Sequence, residues 1–182
     1  MDRGYIYLNK KSFIHNLEVL KNLSRKELCL VVKANAYGHG LEWAVKNAKE
    51  SGIKWFAVAS VDEGIQVKKV YEESRVLLLA EPSKIQLENI KENDIDLTVY
   101  NESFIDTLIE TGDEYSVHLK IDTGMHRLGC PPEKFYDLYK KIVDSDLNLI
   151  GICTHFPMAD TDETETKKSI ELFEKTISDI DS

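Results

Sequence analysis

The sequence predicts an α/β fold, a parallel (β/α) barrel of the TIM type with about six of the eight strands that close such a barrel. Apolar strands alternate with amphipathic helices, and the six core strands begin near residues 28, 54, 76, 95, 116 and 148, about every 24 residues. The strand at 117–121 alternates apolar residues with His118 and Lys120, as suits a barrel interior that receives polar groups. No Gly-x-Gly-x-x-Gly follows the first strand, which disfavours the alternative of an open doubly wound sheet.

The amino-terminal third contains an opening segment and the first strand–helix unit. Residues 5–8 form a candidate strand, and Asn9 is expected to cap the helix that follows. The apolar run at 28–32 is predicted to be a buried strand that ends at Lys33. A helix is expected near 41–50.

The next part of the chain repeats this alternation. A buried strand is predicted at 55–59, and Asp62 is expected to cap the helix after it. The strand at 76–80 is followed by a weaker helix that carries Ile85 and Ile90.

Three further strands complete the predicted pattern. The strand at 95–100 leads into a helix capped by Asn101, and the strand at 116–121 leads into a glycine-bearing turn. Two prolines at 131–132 open the next helix, and the strand at 149–155 precedes a last helix that is predicted to run to the end of the chain.

The strand count indicates an incomplete barrel. A closed barrel has eight strands and usually about 250 residues. Six strands in 182 residues therefore predict the amino-terminal part of a barrel, about two units short of closure. The alternative is a six-stranded open sheet with two exposed edges, which natural proteins normally avoid.

Composition and charge exclude several function classes. The net charge of −9 and the absence of a basic patch argue against nucleic acid or an anionic membrane as partner. No signal peptide and no run of eighteen apolar residues is visible, so a cytoplasmic location is expected. The three cysteines, Cys29, Cys130 and Cys153, lack metal-ligand spacing, so neither a metal site nor a redox role is expected.

An unusual lysine ends the first buried strand. Residues 31–40 read VVKANAYGHG, in which Lys33 follows an apolar run directly. Burying a bare ammonium in such a place costs free energy. Such a lysine therefore either reaches solvent through its apolar stem or is present because it has a function. All ten residues match the pyridoxal-phosphate lysine motif of the alanine racemase family, so the chain resembles that family.

Two later segments add to the resemblance. Residues 120–129, KIDTGMHRLG, are similar to the second signature of the family, and residues 154–160, THFPMAD, contain the matching histidine. Lys33, Arg127 and His155 fall at or just beyond the carboxyl ends of three different strands. In (β/α) barrels the chemistry lies at these ends.

The resemblance implies a role for each site residue. Lys33 would form a Schiff base with pyridoxal 5'-phosphate and then act as a base on the substrate α-carbon. Tyr37 would hydrogen-bond the cofactor phosphate, and Arg127 would lie near the substrate carboxylate and the cofactor's phenolic oxygen. His155 would stack on the pyridine ring, and Leu79 would contact the cofactor.

For two residues, Leu79 and Lys120, a second explanation is as good as the role that the resemblance implies. Leu79 is explained equally well as part of an aliphatic layer of the barrel. Lys120 matches a lysine that some relatives carry in carbamylated form to brace the arginine. A plain lysine paired with Asp122 or another acid is the alternative for Lys120.

The function implied by the resemblance is that of an isomerase, an alanine racemase that interconverts L- and D-alanine and supplies D-alanine for bacterial peptidoglycan. Alternatives are a serine or broad-specificity amino-acid racemase, a non-enzymatic pyridoxal-phosphate-binding barrel, and an inert fragment.

The resemblance also implies a domain division. In the family the opening strand belongs to a separate β domain, which brings a tyrosine base across a homodimer interface. Residues 1–8 are therefore expected to belong with such a domain and residues 9–182 to be the amino-terminal part of the cofactor-binding barrel. Without that domain and the closing strands, the chain by itself is expected to be inactive.

Overall fold

A computed structural model describes residues 4–180, and within that range it contains six strands and eight helical segments. The strands are β1 Cys29–Val31, β2 Trp55–Val58, β3 Arg75–Leu78, β4 Ile95–Val99, β5 Ser116–Lys120 and β6 Asn148–Cys153. The helical segments are α1 Lys10–Ser24, α2 Lys33–Tyr37, α3 Leu41–Glu50, α4 Val61–Val70, α5 Leu87–Glu92, α6 Glu102–Thr111, α7 Phe135–Val143 and α8 Glu163–Ile177. Short 3₁₀ turns lie at Lys84–Gln86, Pro132–Lys134 and Ser178–Ile180.

The strands form one open sheet in the order β1-β2-β3-β4-β5-β6. The pairs β1–β2, β2–β3, β4–β5 and β5–β6 are parallel. Each strand therefore lies beside the one before it in the chain, which is the winding of a (β/α) barrel, whereas a doubly wound sheet reverses its strand order at a switch point. The predicted fold class, with six parallel strands, is confirmed.

The chain divides into two compact units, the first ending at Asp96 and the second beginning at Leu97. The first unit has its core between β2, β3 and the helices α3 and α4. These strands are buried on both faces, as parallel strands covered by helices are. Its fully buried side chains include Val45, Phe56, Val58, Val67 and Val76.

The second unit has its core around β4, β5, α6 and α7. Its fully buried side chains include Leu97, Val99, Ile105, Leu108, Leu119 and Ile142. His118 is buried in β5 opposite Gly151 of β6, at a register shift in the ladder. A Cβ atom at Gly151 would overlap the His118 ring, so the glycine makes room for this buried imidazole.

Two asparagine caps are confirmed. The Asn9 side chain accepts a hydrogen bond from Ser12 N–H at 3.1 Å at the start of α1. The Asn101 side chain accepts one from Phe104 N–H at 2.8 Å at the start of α6. Each cap satisfies an N–H group that the first helical turn leaves without a partner. None of the helices within residues 4–180 is long and apolar enough to cross a membrane.

Three details of the predicted helices are wrong. Ser60, not Asp62, caps α4, because its hydroxyl accepts a hydrogen bond from Glu63 N–H at 3.3 Å. Ile85 lies in a 3₁₀ turn before α5 and is 89% exposed, whereas Ile90 is buried as predicted. The last α-helix, α8, ends at Ile177 and a short 3₁₀ turn follows to Ile180, whereas residues 181–182, to which the helix was predicted to run, lie outside the described residues.

The opening segment forms no strand over residues 4–8. Tyr5, Ile6 and Tyr7 are 91%, 77% and 94% exposed. Residues 1–3 of the predicted 1–8 segment lie outside the described residues. The predicted strand at 5–8 is therefore wrong for the structure described, and the assignment of residues 1–8 to a separate domain stays a prediction.

Candidate active site

Lys33 lies at the carboxyl end of β1, where the sequence places it. Val32, which precedes it, is 1% exposed and donates its N–H to the carbonyl of Ala57 at 2.9 Å. Lys33 itself is half-buried. Among residues 4–180 it forms no ion pair. The backbone before the amine is thus anchored to β2 while the amine has no internal counter-ion.

The chain after Lys33 makes a left-handed helical turn. Ala34, Asn35, Ala36 and Tyr37 have φ angles of 51°, 54°, 52° and 54°. Residues other than glycine rarely adopt backbone angles in this region. Each such residue costs about 1–2 kcal/mol, so four in succession cost roughly 4–8 kcal/mol. A run of this kind persists only where surrounding contacts hold it in place.

Several hydrogen bonds hold this turn from within. Ala36 N–H donates to the carbonyl of Val32 at 2.8 Å. The Asn35 side chain accepts from Leu41 N–H at 2.8 Å, which joins the turn to the start of α3. Gly38, with a φ of 87°, continues the left-handed conformation at no steric cost and ends the turn.

A carboxylate that the sequence reasoning missed also holds the turn. Glu63 on α4 accepts a hydrogen bond from Ala34 N–H at 2.6 Å with one oxygen and from Ala59 N–H at 3.0 Å with the other. The available signal was the spacing Ser60-x-x-Glu63, which is typical of a capping box at a helix start. Glu63 instead reaches the loops that follow β1 and β2.

Two other predicted residues lie in the first unit. Tyr37 ends the left-handed turn with a side chain that is 61% exposed. Leu79 follows β3, is half-buried, and donates its N–H to the carbonyl of Val58 at 2.9 Å. Both therefore stand at the carboxyl ends of strands, like Lys33, and their contacts with a cofactor stay predictions.

Two cavities of the first unit are lined by residues other than Lys33. A hollow of about 200 Å³ beside Tyr37 is smaller than the 300–1,000 Å³ of an ordinary ligand pocket. A larger cavity of about 580 Å³ is lined by Lys21, Arg25 and Lys54, among others, at the amino ends of β1 and β2. Because parallel barrels place their chemistry at the carboxyl ends, this larger cavity is not the candidate site.

Lys120 is the last residue of β5 in the second unit and is half-buried. Its carbonyl accepts a hydrogen bond from Cys130 N–H at 2.8 Å, which closes the base of the loop between them. Cys153 of β6 lies opposite Lys120 in the parallel pairing of β5 with β6. Burial raises the pKa of the Cys153 thiol to about 11, although the Lys120 ammonium opposes this shift, so the thiol is protonated at neutral pH.

The loop after β5 carries Arg127, which is exposed and, among the described residues, forms no ion pair. Asp122 organises this loop, because one of its oxygens accepts hydrogen bonds from the N–H groups of Gly124 and His126, both at 3.0 Å. Burial raises the pKa of the Asp122 carboxyl, but these backbone hydrogen bonds outweigh it and hold the pKa below its ordinary value.

Replacing Asp122 with asparagine is expected to make the free energy of unfolding less dependent on pH. A carboxyl whose pKa is lower in the folded than in the unfolded protein stabilises the folded state at pH values above its unfolded pKa of about 3.9. This contribution is lost as the pH falls through the folded-state pKa. Urea unfolding at pH 6 and at pH 3 should show a cost of Asp122→Asn that is larger at pH 6. Asp146→Asn, at an exposed carboxyl, is the control and should show no such difference. An equal cost of Asp122→Asn at both pH values would contradict the role of the charge.

His155 follows β6 and is exposed. Its neighbour Thr154 donates a hydrogen bond to the carbonyl of Ile121 at 2.9 Å and shares another with the hydroxyl of Thr123 at 2.7 Å. Ser169 on α8 donates to the carbonyl of Thr123 at 2.9 Å. This network, which the sequence reasoning also missed, ties the loop of Arg127 to the strand end that carries His155.

The predicted site residues thus fall into two groups. In the first unit Lys33, Tyr37 and Leu79 follow β1 and β3, and in the second unit Arg127 and His155 follow β5 and β6. Every one of them lies at the carboxyl end of a parallel strand or in the segment that follows it. The fold and this placement define a class, a (β/α) barrel-type protein with a lysine at the end of its first strand.

Comparison with known proteins identifies the family within this class. The family profile described as "Alanine racemase, N-terminal domain" matches residues 8–182. The chain belongs to this family.

Relatives and solved structures agree with this assignment. An alanine racemase of Treponema denticola is 36% identical over 173 residues, which are 90% of this chain and 46% of that protein. An amino-acid racemase of Enterococcus faecalis is 34% identical over 97% of this chain and 26% of its own length. The structure of alanine racemase from Clostridium difficile 630 in complex with cycloserine has a TM-score of 0.86 at 29% identity, over 94% of this chain and 50% of that one.

The chain spans about half the length of most of the curated relatives that it matches, with shares of 46%, 44% and 48% in three of them. The same holds for the solved structure, of which it covers 50%.

The residues present fit pyridoxal phosphate. Lys33 is a half-buried primary amine and Arg127 a guanidinium, and among the described residues neither is neutralised by an ion pair. The cofactor carries an aldehyde that reacts with an amine and a phosphate that a cation or a phenol binds. Tyr37, four residues after Lys33, supplies such a phenol on a turn of fixed conformation.

Proposed function

We propose that this chain provides the cofactor-lysine part of a pyridoxal-phosphate-dependent amino-acid racemase that acts on alanine. The observation that carries the proposal is Lys33, a half-buried amine at the carboxyl end of β1 that forms no ion pair with any residue from 4 to 180. It lies within a ten-residue motif of the family to which the chain belongs.

The proposed roles follow from the chemistry of each side chain. Bound pyridoxal phosphate withdraws electrons from the substrate α-carbon and so makes its proton removable. The Lys33 amine would attach the cofactor and, once the substrate amine has displaced it and freed it, would take or return that proton on one face of the substrate. Tyr37 donates a hydrogen bond to the phosphate, and Arg127 orients the substrate carboxylate with its planar fork. His155 and Leu79 pack against the cofactor ring.

Lys120 is proposed to brace the loop of Arg127. Support comes from its carbonyl, which holds Cys130 and thereby the far end of this loop. Its side chain acts either as a carbamate or as an ammonium paired with an acid, and an intact mass spectrum separates the two forms.

Alanine is the proposed substrate because the alanine racemases of Treponema denticola and Treponema pallidum are 36% and 32% identical to this chain. A second candidate is another amino acid, since a structure titled histidine racemase, from Leuconostoc mesenteroides, has a TM-score of 0.84 at 25% identity. We also propose the wider setting known for such enzymes, a cytoplasmic homodimer that supplies D-alanine for peptidoglycan.

The test is to titrate the 182-residue chain with pyridoxal phosphate, follow the visible absorbance band, and locate the attachment by mass spectrometry after borohydride reduction. We expect attachment at Lys33. Attachment at another lysine, or none, would contradict the proposal.

The same preparation tests activity. Since the relatives are about twice as long, we propose that racemisation requires elements beyond those matched here. L-alanine incubated with the chain and cofactor should therefore show no measurable D-alanine. Robust turnover by the 182 residues alone would show that this part of the proposal is wrong.

A further inference from the structure

Glu63 is placed to control the geometry of the Lys33 turn. Its two carboxylate oxygens lie 2.6 Å from Ala34 N and 3.0 Å from Ala59 N, so one side chain joins the loops that follow β1 and β2. Ala34 is the residue after Lys33 and the first of the four residues with positive φ. The contact is therefore made at the point where the chain leaves the strand and enters the left-handed turn.

The two N–H groups need an acceptor from outside their own segments. At the start of a helical turn the first N–H groups have no partner within the turn, and this holds for a left-handed turn as for a right-handed one. The neighbouring backbone bonds, from Val32 N–H to Ala57 and from Leu79 N–H to Val58, belong to the strand ladders before Ala34 and Ala59. A carboxylate offers two acceptors and no donor, which matches two convergent N–H groups.

The side chain is held from its own side as well. Glu63 lies in the first turn of α4, and its N–H donates to Ser60 Oγ at 3.3 Å. Glu63 itself is half-buried, whereas its two partners, Ala34 and Ala59, are exposed. The start of α4 thus fixes the position of the carboxylate.

We propose that Glu63 is a positioning residue that holds the left-handed turn, and through it the backbone of Lys33, in the conformation required for cofactor attachment. It does not need to touch the cofactor or the substrate. Its effect on attachment rests on the function proposed above for Lys33, whereas its effect on the turn does not.

The first experiment measures the turn without any cofactor. Hydrogen exchange by NMR on the ¹⁵N-labelled chain should show that Glu63→Gln accelerates exchange about tenfold or more at Ala34, at Ala59 or at both, because the amide offers only one acceptor and places a donor against the other N–H. Val32 N–H, which is bonded to Ala57, is the internal reference and should change little. Gln66→Ala, at an exposed site on the same helix, is the control variant.

Unchanged exchange at Ala34 and Ala59 in Glu63→Gln would overturn the proposal. Equal acceleration at Val32 would also overturn it, because it would indicate general loss of structure rather than release of the turn.

The second experiment measures attachment. Pyridoxal phosphate titrated into Glu63→Gln should show an affinity for attachment about tenfold weaker than in the wild type, with Gln66→Ala unchanged. Glu63→Asp, which keeps the charge but is one methylene shorter, should lie between the two. Wild-type affinity in Glu63→Gln, despite faster exchange at Ala34, would overturn the positioning role. A wild-type chain without attachment at Lys33 would instead defeat the proposed function, and the exchange data would still decide whether Glu63 holds the turn.

Discussion

Replacing Lys33 with alanine is expected to abolish the saturable visible band of one cofactor per chain and the borohydride-trapped adduct that accompanies it. Only a primary amine can join covalently to the cofactor aldehyde, and Lys33 is the amine at the carboxyl end of β1. Lys33→Arg should lose the band as well, because a guanidinium keeps the charge but does not supply a primary amine. Absorbance titration with peptide mass mapping measures both effects.

The matched control is Lys54→Ala, at an exposed lysine on the amino side of β2. This variant should keep the full band. A band of wild-type strength in Lys33→Ala would show that attachment occurs elsewhere and that the ten-residue motif does not mark the cofactor lysine of this chain.

Replacing Gly129 with alanine is expected to destabilise the second unit by about 3 kcal/mol or more. A Cβ atom at this position would lie 2.6 Å from Asp122 N and 2.8 Å from Ile121 C, both of which are backbone atoms. The φ angle of 134° adds strain, since L side chains rarely adopt it. Because the backbone just after β5 cannot move aside as a flexible side chain can, the loop of Arg127 must distort.

Urea unfolding followed by circular dichroism measures this cost. Gly112→Ala is the matched control, since Gly112 also has a positive φ, of 66°, but nothing lies within 4 Å of the Cβ atom it would gain. We expect a cost of about 1 kcal/mol for this control, from the left-handed conformation alone. Equal costs at Gly129 and Gly112 would contradict the steric argument.

Local patterns determined most of the fold. Apolar runs between helix signals located all six strands, with ends that differ from the structure by one or two residues. The caps Asn9 and Asn101 are predictable from the sequence because a capping side chain accepts a hydrogen bond from an N–H group only three residues further along the chain. The prediction of Asp62 as a cap is wrong and Ser60 caps α4 instead, since both residue types cap helices and both lie near the helix start.

The candidate site was predicted only in part. Within each unit the residues quoted from the family motifs do lie at or after the carboxyl ends of strands, which is where (β/α) barrels place their chemistry. Their roles toward a cofactor stay predictions. The conformation of the Lys33 turn was not foreseen, since Ala34, Ala36 and Tyr37 are not residue types that favour a positive φ.

The sequence by itself therefore determined the class of fold and the family. It also identified Lys33 as the cofactor lysine, which stays a hypothesis. Only the tertiary structure showed Glu63 as the residue that holds the Lys33 turn and Thr154 as the residue that ties the Arg127 loop to β6. These contacts join residues 29 and 33 positions apart. Helix and strand signals act over a few neighbouring residues, whereas such contacts exist only once the strands are paired and their loops brought together.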